Sequence, residues 1–484
     1  MAQRRDSRFD FRGGANLAFT DDAVDSTEVR KAKNARAGGY AGLQTRSGTQ
    51  RIHQVAMGGG APVLGLHQWF PPGGRRLVAV SGGNLYEKPE GTEEFTEVGT
   101  GLSETARPSF QAHIEGGNIN LFIADGGMHQ WDGTDLTAVT GAPDAVQLAI
   151  YKTRMFALDG SKTVYWSRIS DPTTWSSPDG GQGNVETYDA DPIVGLGVTG
   201  ASLLLFKENS IARFTGVSAA NIRIDQETEG ISPDIGCIAP GTICRVEQAL
   251  FFLTDRGPYI ASEAGVQAIG QKVEPAFDEA EMDHMKHAVA VHNPKRREVW
   301  VFFPENTKTT NTVGWCFNTR MQNWYGPWDM GEAFDVASAA NFELPSNKEN
   351  VVLGGYDGVV RLGDVKGAAK DDIGFDGTGG RVIEFEIEFP DLLFGDPTLI
   401  KRLNRAQHIS ADLGVKGVFH MELTSDLGGS NRLRIFTRGS GTHQYLFRPG
   451  TYGRRIGLRV KDESGEVVRI NGLSLQAQVS DRQV

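Results

Sequence analysis

The chain is poor in the features that define most functional classes. It has three cysteines in 484 residues, Cys237, Cys244 and Cys316. That number is too small for a disulfide framework, and an odd count suits a reducing compartment. No apolar run approaches the roughly 20 residues that a membrane helix requires. The segment from Met1 to Arg12 alternates Arg and Asp without an apolar core, so no secretion signal is expected and synthesis in a cytoplasm is the default. Positive charge is also short: 49 Lys and Arg against 60 Asp and Glu leave a net charge of −11. Bulk attraction to nucleic acid is thereby excluded as a mode of binding, although contact with DNA is not. The sequence has no Gly-x-Ser-x-Gly elbow and no Gly-rich phosphate loop ending in Lys-Ser/Thr, and nothing in it argues positively for an enzyme.

What the chain does have is glycine. With 61 Gly, 20 Pro and an apolar fraction of 39%, it is neither disordered nor collagen-like; irregularly spaced Gly means many turns, and many turns mean many short strands. A unit of two apolar runs around a polar turn then recurs. It appears as Leu77–Val80 with Leu85–Tyr86, Leu121–Ala124 with Met128–Trp131, Arg154–Leu158 with Thr163–Trp166, and Leu203–Phe206 with Ile211–Phe214. It continues as Ala249–Thr254 with Pro258–Ser262, Val299–Phe303 with Val313–Phe317, and Val351–Gly355 with Val359–Leu362. Each reads as a β-hairpin, and the spacing is that of propeller blades with four strands apiece. Radial stacking covers both faces of each small sheet and leaves only short edges. Because the first and last copies can share a blade, six or seven blades are expected, with closing strands from either end.

The expected organisation is an all-β chain in four parts. Residues 1–50 read as an extended N-terminal arm, with one short helix begun by Asp25 or Ser26. Its Arg4, Arg5, Arg8, Arg12, Lys31, Lys33 and Arg36 interleave with acids, which suits a solvated surface. Residues 51–365 read as the β-propeller and 366–380 as a polar linker without core-forming residues. Residues 381–484 read as a β-sandwich-like domain. Its first strand alternates Ile383, Phe385, Ile387 and Phe389 with Glu384, Glu386 and Glu388, giving one wet acidic face. Further strands are expected at 407–411, 418–424, 432–437, 445–447, 456–460 and 467–470. Lys401, Arg402, Arg405, Arg432, Arg434, Arg438, Arg448, Arg454, Arg455 and Arg459 make this domain locally basic on an acidic propeller.

Few residues invite chemistry. Ser167–Trp175 contains an Asp171-Pro172-Thr173-Thr174-Trp175 box similar to the turn locks of sialidase-type propellers, which are structural. His284 and His287 lie three apart near Glu281 and Asp283, a spacing that shares a helical face, within a stretch from Val273 to His287 that reads as one short helix. No third ligand stands at a typical spacing. Cys237 and Cys244 are seven apart across a Pro-Gly loop and read as buried free thiols. Carboxylate pairs for glycoside hydrolysis cannot be singled out, since acids occupy nearly every turn. No catalytic, cofactor-binding or metal residues are therefore assigned, and no cofactor is expected.

Several short blocks, in one order, resemble the packaged-DNA stabilisation or tail-nozzle proteins of short-tailed bacteriophages. They are Gly13-Gly14-Ala15-Asn16-Leu17 followed by Glu28, Ala32, Asn34 and Gly38-Gly39; Lys152–Ala157 with Val164–Ser167 and Asp171–Trp175; and Ile193–Leu196 with Leu205–Ile211. Gly236–Pro240 with Leu250–Gly257 and Tyr259 resembles the family's most recognisable block, and Gly395-Asp396-Pro397 with Lys401-Arg402 the entry to its C-terminal domain. The resemblance implies a structural protein of the virion tail. It further implies a homo-hexameric ring that docks on adaptor and portal rings, carries needle, spike or fibre proteins, retains packaged double-stranded DNA and conducts it during ejection. An acidic lumen that lets DNA slide fits the net charge. The alternative from the enzyme class is a propeller glycosidase or carbohydrate-binding tail protein.

Overall fold

The computed structural model describes residues 3–479 except 40–41, 116, 177, 188, 218–220, 226–230, 331–332, 345–347, 394–398, 412–417, 429, 437–440, 444–451 and 463. The expected strand at 445–447 and the Gly395-Asp396-Pro397 block lie outside the described residues.

Seven four-stranded antiparallel sheets form blades 1 to 7. Their innermost strands are Val63–Trp69, Ser109–Glu115, Gln147–Tyr151, Ile193–Val198, Cys244–Val246, Val289–Asn293 and Val336–Leu344. Each lies against the innermost strand of the next blade, and blade 7 meets blade 1, so the ring is closed. At that last junction the Ser338 hydroxyl donates to the Val63 carbonyl at 2.6 Å, and the Gln68 amide exchanges two hydrogen bonds with the Glu343 backbone at 2.9 and 2.6 Å.

The seven recurring hairpins are the second and third strands of the seven blades. No two copies share a blade, which settles the expected six or seven as seven. Their unbroken apolar runs follow from burial on both faces. In blade 4, Leu203 and Leu205 join Phe156, Leu158 and Phe214 between blades 3 and 4, whereas Leu204 and Phe206 join Leu250 and Phe252 between blades 4 and 5. Phe251 and Leu253 in turn face Val299, Val301 and Trp324 of blade 6. Adjacent side chains of one strand thus serve different interfaces, and burying each large one contributes about 1.5–3 kcal/mol.

Blade 7 is completed from the other end of the chain. Its outer strand is Gly48–Arg51, which pairs with Val360–Val365 through Arg51 opposite Arg361 and Gln50 opposite Leu362. At Gly48 an added Cβ would meet the Lys370 carbonyl oxygen at 1.8 Å, so only glycine lets this clasp strand lie against the linker.

Residues 3–45, expected as an arm, instead supply strands to the C-terminal β unit. Gln3–Phe9 pairs with Gly472–Val479, Lys31–Lys33 with Phe385–Glu388, and Leu43–Thr45 with both Ala35–Ala37 and Arg469–Ile470. Residues 21–27 form turns rather than a helix. One five-stranded sheet runs in the order Lys31–Lys33, Phe385–Glu388, Ile456–Asp462, Val418–Ser425, Ser430–Phe436. Phe385, Ile387, Phe389, Leu458 and Val460 share a single hydrophobic cluster with Trp300, Phe302, Val351 and Trp328 of blades 6 and 7, so propeller and sandwich-like unit have a continuous core. The acidic face of the first strand is not simply wet: Glu386 is 8% exposed and sits within 3.2 to 3.7 Å of Arg459, Lys461 and Lys31. These pairs neutralise part of the basic surplus expected for this unit. The stretch from Val273 to His287 is two pieces, an α-helix at Glu274–Asp278 and a 3-10 helix at Met282–His287.

Candidate functional site

The densest polar chemistry lies where the N-terminal segment crosses the outer strand of blade 6, Asn323–Asp329. The segment is locked there first by backbone and amide contacts. Asn34 N–H donates to the Pro327 carbonyl at 2.9 Å, Asp329 N–H to Asn34 Oδ1 at 2.9 Å, and the Trp328 indole to the Ala35 carbonyl at 2.7 Å.

Two arginines, Arg36 and Arg46, then pass into the protein, and a third, Arg51, pairs at its surface. Arg36 is buried, not solvated: its guanidinium grips Glu298 through both carboxylate oxygens at 3.0 Å and Asp364 at 2.8 Å. Arg296 holds the other side of Asp364 at 2.7 and 3.0 Å, and the Trp300 indole donates to Glu298 at 3.0 Å. Burial lowers the Arg36 pKa, but Glu298 and Asp364 outweigh it and the net shift is upward. Burial likewise raises the Asp364 pKa, and Arg36 and Arg296 reverse this, holding it below the usual carboxylate range. Arg46 pairs with both oxygens of Asp371, donates to Asn34 Oδ1 at 3.0 Å and lies 5.8 Å over the Trp328 ring. Arg51 binds Asp372 at 2.7 and 2.6 Å, and Arg361 shares that carboxylate at 2.7 Å while gripping Asp357.

Asp371 and Asp372 belong to the stretch expected as a polar linker without core-forming residues. Beside the buried Ala369, its carboxylates meet the N-terminal arginines. Sequence reasoning missed these residues because their N-terminal partners lie hundreds of positions away; the coincidence of Arg36, Arg46 and Arg51 in one weakly apolar segment was the available signal.

The residues considered for chemistry are dispersed. Asp171 accepts from the Thr173 amide at 3.1 Å and its hydroxyl at 2.7 Å, a local turn cap. The rings of His284 and His287 stack 6.2 Å apart, and among the described residues no group of three or more His, Cys, Asp or Glu could hold a metal. Cys237, Cys244 and Cys316 are free; Cys237 and Cys316 are buried as expected of a core thiol, whereas Cys244 is only partly buried, and burial pushes the Cys237 thiol to about 12. Two surface cavities accompany the joints. One of about 320 Å³ lies at the seam of blades 7 and 1 beside Ile52, Leu77, Phe342 and Phe375, and one of about 570 Å³ lies between blade 6 and the C-terminal unit beside Arg30, Trp315 and Asp391. No described helix is long and apolar enough to cross a membrane.

A closed seven-bladed ring is thus joined through buried ion pairs to a second β unit. The family described as bacteriophage P22 Gp10, beta-propeller, matches residues 74–317, about half of the chain, from the first blade through the third strand of the sixth. The chain belongs to this family and is a structural protein of a bacteriophage. No curated protein matches it. Among solved structures it is similar to the WD40 beta propeller domain of Doa1, at 11% identity and a TM-score of 0.43 over 65% of this chain and 96% of that one. BBS1N in complex with ARL6DN gives 10% and 0.43 over 66% and 98%, and the computationally designed Ika8 protein 11% and 0.36 over 75% and 100%.

Proposed function

We infer that the protein is a tail component whose copies assemble into a ring-shaped nozzle, docked on an adaptor and portal assembly, that retains packaged DNA and conducts it during ejection. Membership of the phage stabilisation family carries this reading. The charge of −11 supports it, because a net acidic wall repels a polyanion and adds no counterion-release affinity that would slow its passage. The work asked of such a chain is mechanical, and a continuous core between propeller and C-terminal unit suits a wall that must not hinge under internal pressure.

Native mass measurement of the purified protein, alone and mixed with the adaptor ring, tests the reading. A closed oligomer on the adaptor is expected. A chain that stays monomeric and leaves the adaptor unbound would overturn it.

A further inference from the structure

The inner strands run parallel around the axis, so the residues that precede them, together with the turns between second and third strands, share one end of the ring. At that end Arg107, in the connection from blade 1 to blade 2, reaches across to blade 7. Its guanidinium donates to the Ala337 carbonyl and, at 3.3 Å, to the Tyr356 hydroxyl. Arg36, Arg46 and Arg361 each have carboxylate partners, and Arg154 is wrapped by the carbonyls of Val217, Ser167 and Asp179 at 2.6 to 2.8 Å. Arg107 has neither arrangement. Its Nε is enclosed and meets no acceptor among the described residues, and no carboxylate acts on its charge.

The surroundings add positive potential. Asn311 ties the carbonyls of His287 and Val336 together at 2.8 Å each, which places His287 next to the start of the blade 7 inner strand that Arg107 grips. Burial, then the charges of Arg107, Lys286 and His284, lower the His287 pKa. The Glu281 carboxylate on the same turn is engaged by the Thr307 amide at 3.0 Å. Because Tyr356 accepts from Arg107, its own hydroxyl proton is free to be donated elsewhere.

We propose that Arg107 and the Tyr356 hydroxyl form a binding site for a phosphate-type oxyanion at this end of the ring, beside the turn that carries His287. Donors arriving from two separate segments suit an anion whose oxygens point in several directions, and the charge-assisted bond to the guanidinium is the stronger of the two. The anion accepts from the terminal guanidinium nitrogens and offsets the positive charge gathered around them, tying the connection between blades 1 and 2 to blade 7. The source is either free phosphate or a phosphodiester of duplex DNA, which share this chemistry. The site does not depend on the nozzle reading.

Calorimetric titration of the full chain with inorganic phosphate, and separately with a short DNA duplex, at constant chloride concentration, tests this. Saturable binding of phosphate is expected, weakened about tenfold or more in Arg107→Gln. Tyr356→Phe, which removes one hydroxyl and keeps the ring, should weaken it less and guards against a folding defect in the arginine variant. Competition between duplex and phosphate assigns the source to the DNA backbone; phosphate binding without competition assigns it to the free ion. Absence of saturable binding of either probe to the wild type, or affinity within twofold of wild type in both variants, overturns the proposal.

Discussion

Replacing Arg36 by methionine should loosen the joint between propeller and C-terminal unit about as much as truncating one of its large buried aromatic side chains. The substitution keeps the length of the side chain and removes a charge that two buried carboxylates share, Glu298 and Asp364, which are 2% and 3% exposed. Asp364 keeps Arg296, at 2.7 and 3.0 Å. Glu298 keeps the Trp300 indole and the Cys316 thiol, neither of them a cation, and becomes a buried anion without a counter-charge. Removing one partner of a buried pair costs about 3–5 kcal/mol, and the guanidinium here holds both oxygens of Glu298. Adding Glu298→Gln to Arg36→Met removes the stranded charge and should recover more than half of the loss. Acid adds a second handle. The Asp364 pKa is depressed in the folded state, so its contribution is present above the unfolded carboxylate value and lost as pH falls through the folded one. In Arg36→Met the folded value rises, and acid unfolding should begin at higher pH. Urea unfolding followed by the buried tryptophans Trp300 and Trp328, with hydrogen exchange at Asn34 and Asp329, reads both effects. A loss below about 1 kcal/mol in Arg36→Met, or no recovery in the double variant, would falsify the assignment of this joint to ionic locking.

His53 predicts a pH response at the ring closure. Its Nε2 accepts from the Val360 amide at 2.8 Å and its Nδ1 faces the Val55 carbonyl at 2.8 Å, which requires the neutral ring with the proton on Nδ1. Burial lowers its pKa, so its contribution is complete above about 6.5, the unperturbed value, and declines as pH falls toward the folded value; a lower protection factor for the Val360 amide below pH 6 than at pH 7.5, after correction for the intrinsic rate, is the expected reading. Gly48→Ala should cost about 1–3 kcal/mol by overpacking against the Lys370 carbonyl, seen as a lower unfolding midpoint, whereas Gly91→Ala, whose added methyl meets nothing within 4 Å, should lose only the smaller strain of its positive φ. Deletion of residues 1–52 should give insoluble protein, because it strips blade 7 of its outer strand and leaves Glu298 and Asp371 unpaired; a soluble, monodisperse deletion product with native circular dichroism would contradict the woven architecture.

The propeller was legible because its hairpins are buried on both faces. Leu203–Phe206 and Ala249–Leu253 are apolar at successive positions, and such short runs between Gly-rich turns fit little besides a strand covered on both sides. First and fourth strands were less visible, since strands such as Thr96–Thr100 lie at the outer edge with polar side chains. The N-terminal segment misled for a physical reason. Its strands are two to seven residues long, and its anchors are Asn34, Arg36 and Arg46, types that usually mark a solvated surface. Their burial depends on carboxylates contributed from Glu298 to Asp371, and local pattern carries no trace of partners so remote. The helix expected near Asp25 failed similarly: the Asp25 carboxylate does cap the Thr27 amide at 2.8 Å, yet the chain then leaves into a strand instead of a helix.

The clasp strand sets a timetable for making the molecule. Arg51 and its partner Asp372 lie 321 residues apart in the chain. At about 5–20 residues per second of synthesis, the first 51 residues leave the ribosome roughly 15–60 s before the strand and carboxylates that receive them exist. Six blades can form in that interval while the seventh position stays open. During it the N-terminal edge strands are unpaired and their arginines lack counter-charges, so the newborn chain is open to pairing with its neighbours until the last third is complete. A host holding chaperones at the ribosome, or a slow stretch of messenger before residue 365, would set the yield of closed rings as much as the final stability does.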